Sequence, residues 1–232
     1  MADPSNRLID AALDHVPFDG WSEVTFKAAM QDTEIDEATA RALFPRGPVD
    51  LALAFHRRGD EALRDLLRTT DLSEMRIRER ITFAVRKRLE LIEDHKEAVR
   101  RGSTLFALPL YAADGARAVW ETCDAIWDGL GDPSDDINWY TKRGTLSGVY
   151  SATVLYWLGD QSEGNAATWA FLDRRIENVM QFEKFKKQVN DNKLLKPFLA
   201  GPNWLLSQVK APAKMPRVDL PGSWTGRGRT DT

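Results

Sequence analysis

The segment Leu43-Phe44-Pro45-Arg46-Gly47-Pro48-Val49-Asp50-Leu51 divides the sequence into a short front part and a long rear part. Its two prolines flank a glycine, a composition that ends one helix and starts another. Before the segment, apolar residues at helical spacing predict three short helices over 5–15, 23–31 and 36–44. After it, a longer amphipathic run predicts a helix over 49–69. The sequence therefore predicts three short helices followed by a body of long ones.

Helical periodicity continues through the rear part, and no convincing alternation typical of strands is present. The apolar spacing and the Gly- and Pro-containing breaks predict further helices over 73–94, 95–108, 114–129, 135–158 and 165–185. We expect an all-α fold of about nine or ten helices. The predicted divisions are a head over 1–48, a body over 49–185, an amphipathic segment over 186–210 and a disordered tail over 211–232.

Composition narrows the class of protein. The 232 residues are 43% hydrophobic, which is enough for a sizeable core. The single cysteine, Cys123, excludes an intramolecular disulfide and is expected to be a buried, inert thiol. No apolar run approaches the roughly 20 residues that span a bilayer, and the N-terminus resembles no secretory signal. We interpret the chain as a cytoplasmic protein of bacterial origin.

The layout of the front part resembles the DNA-binding head of TetR-family repressors, and segment 43–51 resembles the junction that follows their recognition helix. Residues 1–50, however, carry ten acidic and four basic side chains. A DNA-binding head must neutralise phosphates with Lys or Arg. The candidate recognition helix and its entry hold three acidic residues, Glu34, Asp36 and Glu37, and the only basic residues nearby are Arg41 and Arg46. We therefore predict a vestigial helix-turn-helix that packs or contacts protein partners and binds no nucleic acid.

A second stretch carries a more specific resemblance. Asn138-Trp139-Tyr140-Thr141-Lys142-Arg143, within 135–150, closely resembles the signature of the ubiquinone-biosynthesis accessory family found in mitochondria and alphaproteobacteria. The similarity continues over 168–180 and extends from about residue 7 to residue 182. The resemblance implies a TetR-like, non-catalytic protein that binds an isoprenoid quinone lipid.

The resemblance also implies partners. The protein would present quinone intermediates to the demethoxyubiquinone hydroxylase while lying peripheral to the inner membrane, and we expect a homodimer. The family's partner surface, carried over to this sequence, points to Asp124, Ile126, Trp139, Tyr140 and Arg143. A partly exposed tryptophan such as Trp139 is a typical interface anchor.

The helix over 135–158 also suggests where a lipid would bind. Gly144 and Gly148 form part of a small-residue stripe, and glycines inside a helix cost roughly 1 kcal/mol each relative to alanine. Either a closely packed neighbouring helix or room for a slender apolar ligand would offset that cost. Aromatic walls around small residues suit an isoprenoid tail, although each aromatic is also an ordinary core residue. The candidate lipid-binding residues are Trp120, Trp127, Gly144, Gly148, Tyr150 and Trp157.

The segment 186–210 is amphipathic and basic. Its apolar residues lie on one side of a helical wheel, opposite lysines, a pattern that favours the plane of an anionic membrane surface. Docking onto the protein's own body or onto a second copy is the alternative. The predicted membrane-binding residues are Leu194, Leu195, Phe198, Leu199, Trp204 and Leu205.

No pattern in the sequence predicts catalysis. The three histidines, His15, His56 and His95, lie on separate elements, and no metal-ligand, phosphate-loop or nucleophile-elbow spacing is present. We predict no catalytic residue, no metal and no cofactor. The basic run 76–88 indicates a solvated helix face or a surface for an acidic partner. Two other functions remain open: a TetR-type repressor with a hydrophobic effector, and an enzyme on this scaffold.

Overall fold

The computed structural model describes residues 3–191 and residue 211, with backbone only over 182–191. Within these residues the chain forms nine α-helices, two short 3₁₀ turns and no strand, so the predicted all-α fold is confirmed. The helices are α1 Pro4–Asp19, α2 Glu23–Thr33, α3 Glu37–Leu43, α4 Pro48–Thr69, α5 Ile77–Glu90, α6 Lys96–Phe106, α7 Ala112–Gly129, α8 Ile137–Gly159 and α9 Ala166–Asp191.

The head consists of α1, α2 and α3. The predicted inner face of α1 is buried, and α1 packs closely against α2. The Ser22 hydroxyl accepts a hydrogen bond from the backbone N–H of Thr25, and the Asp36 carboxylate accepts one from that of Thr39. These are N-caps that start α2 and α3. Local sequence thus determines where two of the three short helices begin.

The first helix extends beyond its predicted end at residue 15. The helix continues through Pro17 to Asp19, and Gly20 ends it with φ of 65°. Proline lacks an N–H and disfavours the helical conformation in the residue before it, yet one missing bond in a last turn can be offset by packing. Here Val16, which precedes Pro17, is fully buried in the core.

The junction between head and body requires glycine at position 47. Gly47 has φ of 59°, in the left-handed region, and a β-carbon there would lie 2.5 Å from Nη1 of Arg41. Pro48 then occupies the first turn of α4, where its missing N–H costs nothing. The predicted break at this segment is confirmed.

The body is formed by α4 to α9. Helix α7 packs against α4 and α8, and α8 packs in turn against α9. Helix α6 links head and body, since the indole N–H of Trp21 donates to the Ala98 carbonyl at 3.0 Å. Cys123 is fully buried in α7, as expected. This arrangement encloses a space between α4, α5, α6, α7 and α8.

The predicted helix over 73–94 is wrong at both ends. Helix α5 begins only at Ile77, because the Glu79 carboxylate accepts from the backbone N–H of Arg76 at 2.9 Å and fixes Arg76 as the N-cap. It ends at Glu90, and a 3₁₀ turn, Glu93–His95, follows. Helix α9 continues past the predicted boundary at 185 to Asp191.

Candidate functional site

A cavity of about 530 Å³ lies between α4, α5, α6, α7 and α8. Its lining is mainly apolar and includes Phe55, Val99 and Phe106. Leu155 also lines it and is 67% exposed, so the cavity reaches the surface along α8. A space of this size and character falls in the usual range of small-molecule sites, roughly 300–1,000 Å³.

Small residues form much of the cavity wall. They include Gly102, Ser103, Gly115, Ala116, Ser147, Gly148 and Ser151. A β-carbon added at Gly148 would meet no atom within 4 Å, although Gly148 lies in the middle of a helix. The interpretation of the glycine stripe as a close helix–helix contact is therefore wrong at Gly148, which borders open cavity space.

Four polar side chains, His56, Asp60, Arg88 and Thr122, form a cluster that we call the polar floor. The Asp60 carboxylate accepts from Arg88 Nε at 2.7 Å and from the Thr122 hydroxyl at 2.9 Å. His56 Nε2 lies 2.8 Å from the Thr122 hydroxyl and 3.2 Å from the Ala118 carbonyl. Because a carbonyl only accepts, Nε2 carries the hydrogen. His56 and Arg88 line the cavity.

The polar floor is electrically balanced at neutral pH. Burial, together with the positive charge of Arg88, lowers the pKa of His56 to about 4. Burial raises the pKa of Tyr150, which also lines the cavity, to about 12. Both side chains are therefore neutral at pH 7. The charges of Arg88 and Asp60 are left, and they offset each other in a buried ion pair.

A second feature lies where α7 and α8 approach each other. The rings of Trp120, Trp139 and Tyr140 form a half-buried cluster that we call the aromatic surface. The ring centres of Trp120 and Trp139 are 5.9 Å apart, and those of Trp139 and Tyr140 are 4.8 Å apart with nearly perpendicular planes. Both separations are typical of favourable aromatic pairs.

Arg143 supports this surface from inside. Its side chain is 1% exposed, and its Nε donates to Asp124 at 2.5 Å. Its Nη1 donates to Asp132 at 3.2 Å and to the Trp139 carbonyl at 3.2 Å. The guanidinium thereby fixes the start of α8 against the end of α7.

Residues 112–183, which comprise α7, α8 and most of α9, match the family model described as COQ9. The Drosophila melanogaster protein named "Ubiquinone biosynthesis protein COQ9, mitochondrial" is 31% identical over 186 residues, which cover 78% of this chain. The Rattus norvegicus protein of the same name is 30% identical over 191 residues, 79% of this chain.

The chain belongs to the COQ9 family.

The chain spans 57% of the length of the Drosophila relative and 61% of the rat relative. A solved TetR transcriptional regulator from Nitrosomonas europaea superposes with a TM-score of 0.64, over 77% of this chain and 99% of that one. At 18% identity this likeness shows the fold alone. The predicted TetR-like fold is confirmed in a COQ9-family chain.

The COQ9 family model covers the aromatic surface and two walls of the cavity, those of α7 and α8. Of the polar floor, only Thr122 lies within the matched residues. His56 and Asp60 belong to α4, and Arg88 belongs to α5. The cavity is therefore lined both by helices within residues 112–183 and by helices that precede them in the chain.

The structure separates the predicted lipid-binding residues. Gly148 and Tyr150 line the cavity. Trp120 belongs to the aromatic surface, and Gly144 faces it, since a β-carbon there would lie 4.0 Å from the Trp120 ring. Neither Trp120 nor Gly144 is among the residues that line the cavity, so lipid binding by these two stays a prediction.

Trp127 and Trp157 are core residues outside the cavity lining. Trp157 is fully buried, and the Lys96 ammonium lies 5.0 Å from its ring centre. Trp127 is buried in the same way beside Lys142, at 5.2 Å. Both contacts are cation–π pairs, which explains how two lysine side chains can lie against the core.

The predicted partner residues are also separated. Trp139 and Tyr140 are half-buried on the aromatic surface, and Asp124 is half-exposed beside it. Ile126 is fully buried, and Arg143 is nearly so. Neither side chain reaches the surface of the protein as described, so direct contact with a partner stays a prediction that their burial does not support.

Sequence reasoning missed the polar floor. It interpreted Arg88 as part of a solvated basic run, and that interpretation holds for Arg76, which pairs with Glu79 on the surface. Arg88 itself is fully buried. Its register was the available signal, since it lies seven residues after Ile81 and three after Val85, on the buried face of α5.

The two arginines of the vestigial recognition helix and its junction are engaged within the protein. Arg41 pairs with Glu23 at 2.6 Å. Arg46 pairs with Asp50 at 2.8 Å and with Asp114 at 2.9 Å. Contacts to phosphates would have to compete with these ion pairs.

Two further findings concern only the described part of the chain. No helix there is both long and apolar enough to cross a membrane. No group of three or more His, Cys, Asp or Glu side chains there could hold a metal ion. The predicted membrane-binding residues lie outside the described residues, as does the predicted disordered tail apart from Ala211.

Proposed function

We propose that the chain is a non-catalytic accessory protein of ubiquinone biosynthesis that holds an isoprenoid quinone lipid in the cavity. It presents the lipid to the demethoxyubiquinone hydroxylase and acts at the cytoplasmic side of the inner membrane, as a homodimer. Membership of the COQ9 family and the names of the relatives support this role. The proposal extends to this chain the function that the names of these relatives state.

The cavity is the observation that carries the proposal. It is apolar along most of its wall, and small residues such as Gly148 and Ser151 leave room for a branched hydrocarbon chain. Removing such a chain from water contributes about 25 cal/mol for each Å² of apolar surface buried. The exposed Leu155 at the surface end gives the tail an apolar entry.

The aromatic surface is the proposed docking site for the hydroxylase. Trp139 is held by Arg143 and flanked by Tyr140, and a rigid, half-buried tryptophan loses little freedom when a partner covers it. Segment 186–210 is the proposed membrane contact, an assignment that rests on its amphipathic sequence.

Lipid extraction from the purified full chain tests the proposal. We expect mass spectrometry to detect an isoprenoid quinone in wild type and much less in Gly148→Leu, whose side chain fills cavity space. Gly159→Leu is the matched control, because Gly159 also lies in α8 and borders open space but does not line the cavity. Absence of isoprenoid lipid from wild type, or equal loss in both variants, would contradict the proposal.

The TetR-like fold leaves the repressor as the alternative function. The acidic head and the internal ion pairs of Arg41 and Arg46 weigh against it. A gel shift at low salt with the DNA upstream of its own gene is the direct test. We expect no shift, whereas a specific complex that a hydrophobic effector releases would support the repressor.

A further inference from the structure

One polar atom of the polar floor is left without a partner. Arg88 is fully buried and lines the cavity, and within the described residues its Nη1 has no hydrogen-bond partner. A buried guanidinium donor without an acceptor is unfavourable, because its desolvation is not compensated by a hydrogen bond. Because Arg88 lines the cavity, a ligand held there is one source of the missing acceptor.

The rest of the guanidinium is fixed. Nε donates to Asp60 at 2.7 Å, and Nη2 donates to the His56 carbonyl at 2.9 Å. Gly59 makes room for the group, because a β-carbon there would lie 2.6 Å from Nη1. The side chain therefore cannot turn to satisfy Nη1 without breaking one of these two bonds.

The charge balance selects the kind of acceptor. Asp60 already offsets the charge of Arg88, and both groups are almost completely buried. Placing a diphosphate or another multiply charged group beside this pair would require desolvation with little charge left to compensate it. A neutral carbonyl oxygen needs only a single donor, which an N–H of Nη1 supplies.

We infer that the polar floor is the headgroup site of the cavity, where Arg88 Nη1 donates to a neutral carbonyl oxygen of the quinone class. The headgroup points inward to Arg88, and the apolar tail lies along the small-residue wall toward Leu155. This inference rests on the proposed function and adds the orientation of the ligand and its selectivity against charged isoprenoids.

Calorimetric titration of the full chain tests the inference with three probes that share a short isoprenoid tail. They are a dimethoxybenzoquinone, the unsubstituted hydrocarbon and the diphosphate. Two variants are compared with wild type. Arg88→Lys retains the positive charge but replaces the planar guanidinium, and with it Nη1, by an ammonium group. Asp60→Asn with Arg88→Met removes both charges together and keeps an oxygen that can accept from Thr122.

We expect wild type to bind the quinone at least tenfold more tightly than the hydrocarbon, and the diphosphate more weakly than the quinone. The double variant should lose the preference for the quinone and keep its affinity for the hydrocarbon. Circular dichroism establishes that each variant is folded. Replacement of a buried ion pair as a unit is often tolerated, so the double variant keeps the test available if Arg88→Lys does not fold.

The outcomes separate the two proposals. Failure of wild type to bind either the quinone or the hydrocarbon would overturn the proposed function, and the headgroup site with it. Binding of both with equal affinity, or a quinone preference that survives in the folded double variant, would overturn the headgroup site alone. Tighter binding of the diphosphate than of the quinone would also overturn it.

Discussion

The guanidinium carbon of Arg143 lies 4.0 Å from the centre of the Trp139 ring, and the same guanidinium donates to the Trp139 carbonyl one helical turn earlier. Arg143 thus holds both the ring and the backbone of this tryptophan. The arrangement makes a buried arginine responsible for the position of a half-exposed aromatic side chain.

Arg143→Met should destabilise the protein and release Trp139. The substitution leaves Asp132, also buried, with Lys142 as its ion-pair partner, and we expect a loss of roughly 2–4 kcal/mol in the free energy of unfolding. Urea denaturation measures it, and a shift of Trp fluorescence would report the release. Arg76→Met is the control on an exposed pair. Equal midpoints for the two variants would contradict the role given to Arg143.

Trp139→Ala should weaken binding to the demethoxyubiquinone hydroxylase with little loss of fold. A central tryptophan anchor is typically worth at least 2 kcal/mol, or roughly thirtyfold in affinity. Surface plasmon resonance with the purified hydroxylase measures the change. Tyr156→Ala, another exposed aromatic of α8 but stacked on Phe171 away from the aromatic surface, is the matched control. Equal weakening by both would argue against a localised docking site.

Two glycines inside helices should respond to alanine in opposite directions. Gly148→Ala adds a methyl group in open space, and we expect it to raise the free energy of unfolding by about 1 kcal/mol. Gly59→Ala forces its β-carbon onto the pinned guanidinium of Arg88, and we expect a loss of roughly 1–3 kcal/mol. Thermal and urea unfolding compare the two. Changes of the same sign would contradict the packing described at one of these positions.

The stability of the protein should fall as the pH is lowered from about 6.5 toward 4. The pKa of His56 is about 4 in the folded protein, against an ordinary value of 6.5. Between these two values the unfolded chain binds a proton at His56 that the folded chain does not bind, and this favours unfolding. At pH 5 the loss is about 2 kcal/mol. His56→Gln retains a donor in place of Nε2–H and should lack this slope. Parallel curves for wild type and variant between pH 6.5 and 5 would contradict the assignment.

The presence and order of the helices were predictable from the sequence, because N-cap residues and apolar spacing are local features. Ser22 and Asp36 act as caps, and apolar spacing marks the buried faces. The polar floor was not predictable in the same way, because its members come from three helices that the fold alone brings together. The register of Arg88 on α5 was a signal of burial, but its partner Asp60, 28 positions earlier, is identified only when the fold places the two side chains together.

The aromatic surface was partly predictable for a related reason. Trp139 and Tyr140 were found through resemblance, but whether a residue of that region faces outward depends on helix rotation. Ile126 and Arg143 turn inward because α7 and α8 pack along the side that carries them. One-dimensional similarity identifies the region, and three-dimensional packing selects the residues within it.

Cys123, the one cysteine of the sequence, is fully buried, and burial raises the pKa of its thiol to about 12. At neutral pH it therefore carries almost no thiolate and offers little reactivity to maleimides. The native protein can consequently receive a single engineered cysteine on any exposed helix and be labelled there alone with a fluorophore or spin label. Distances to a bilayer or to a bound partner become measurable without first replacing Cys123.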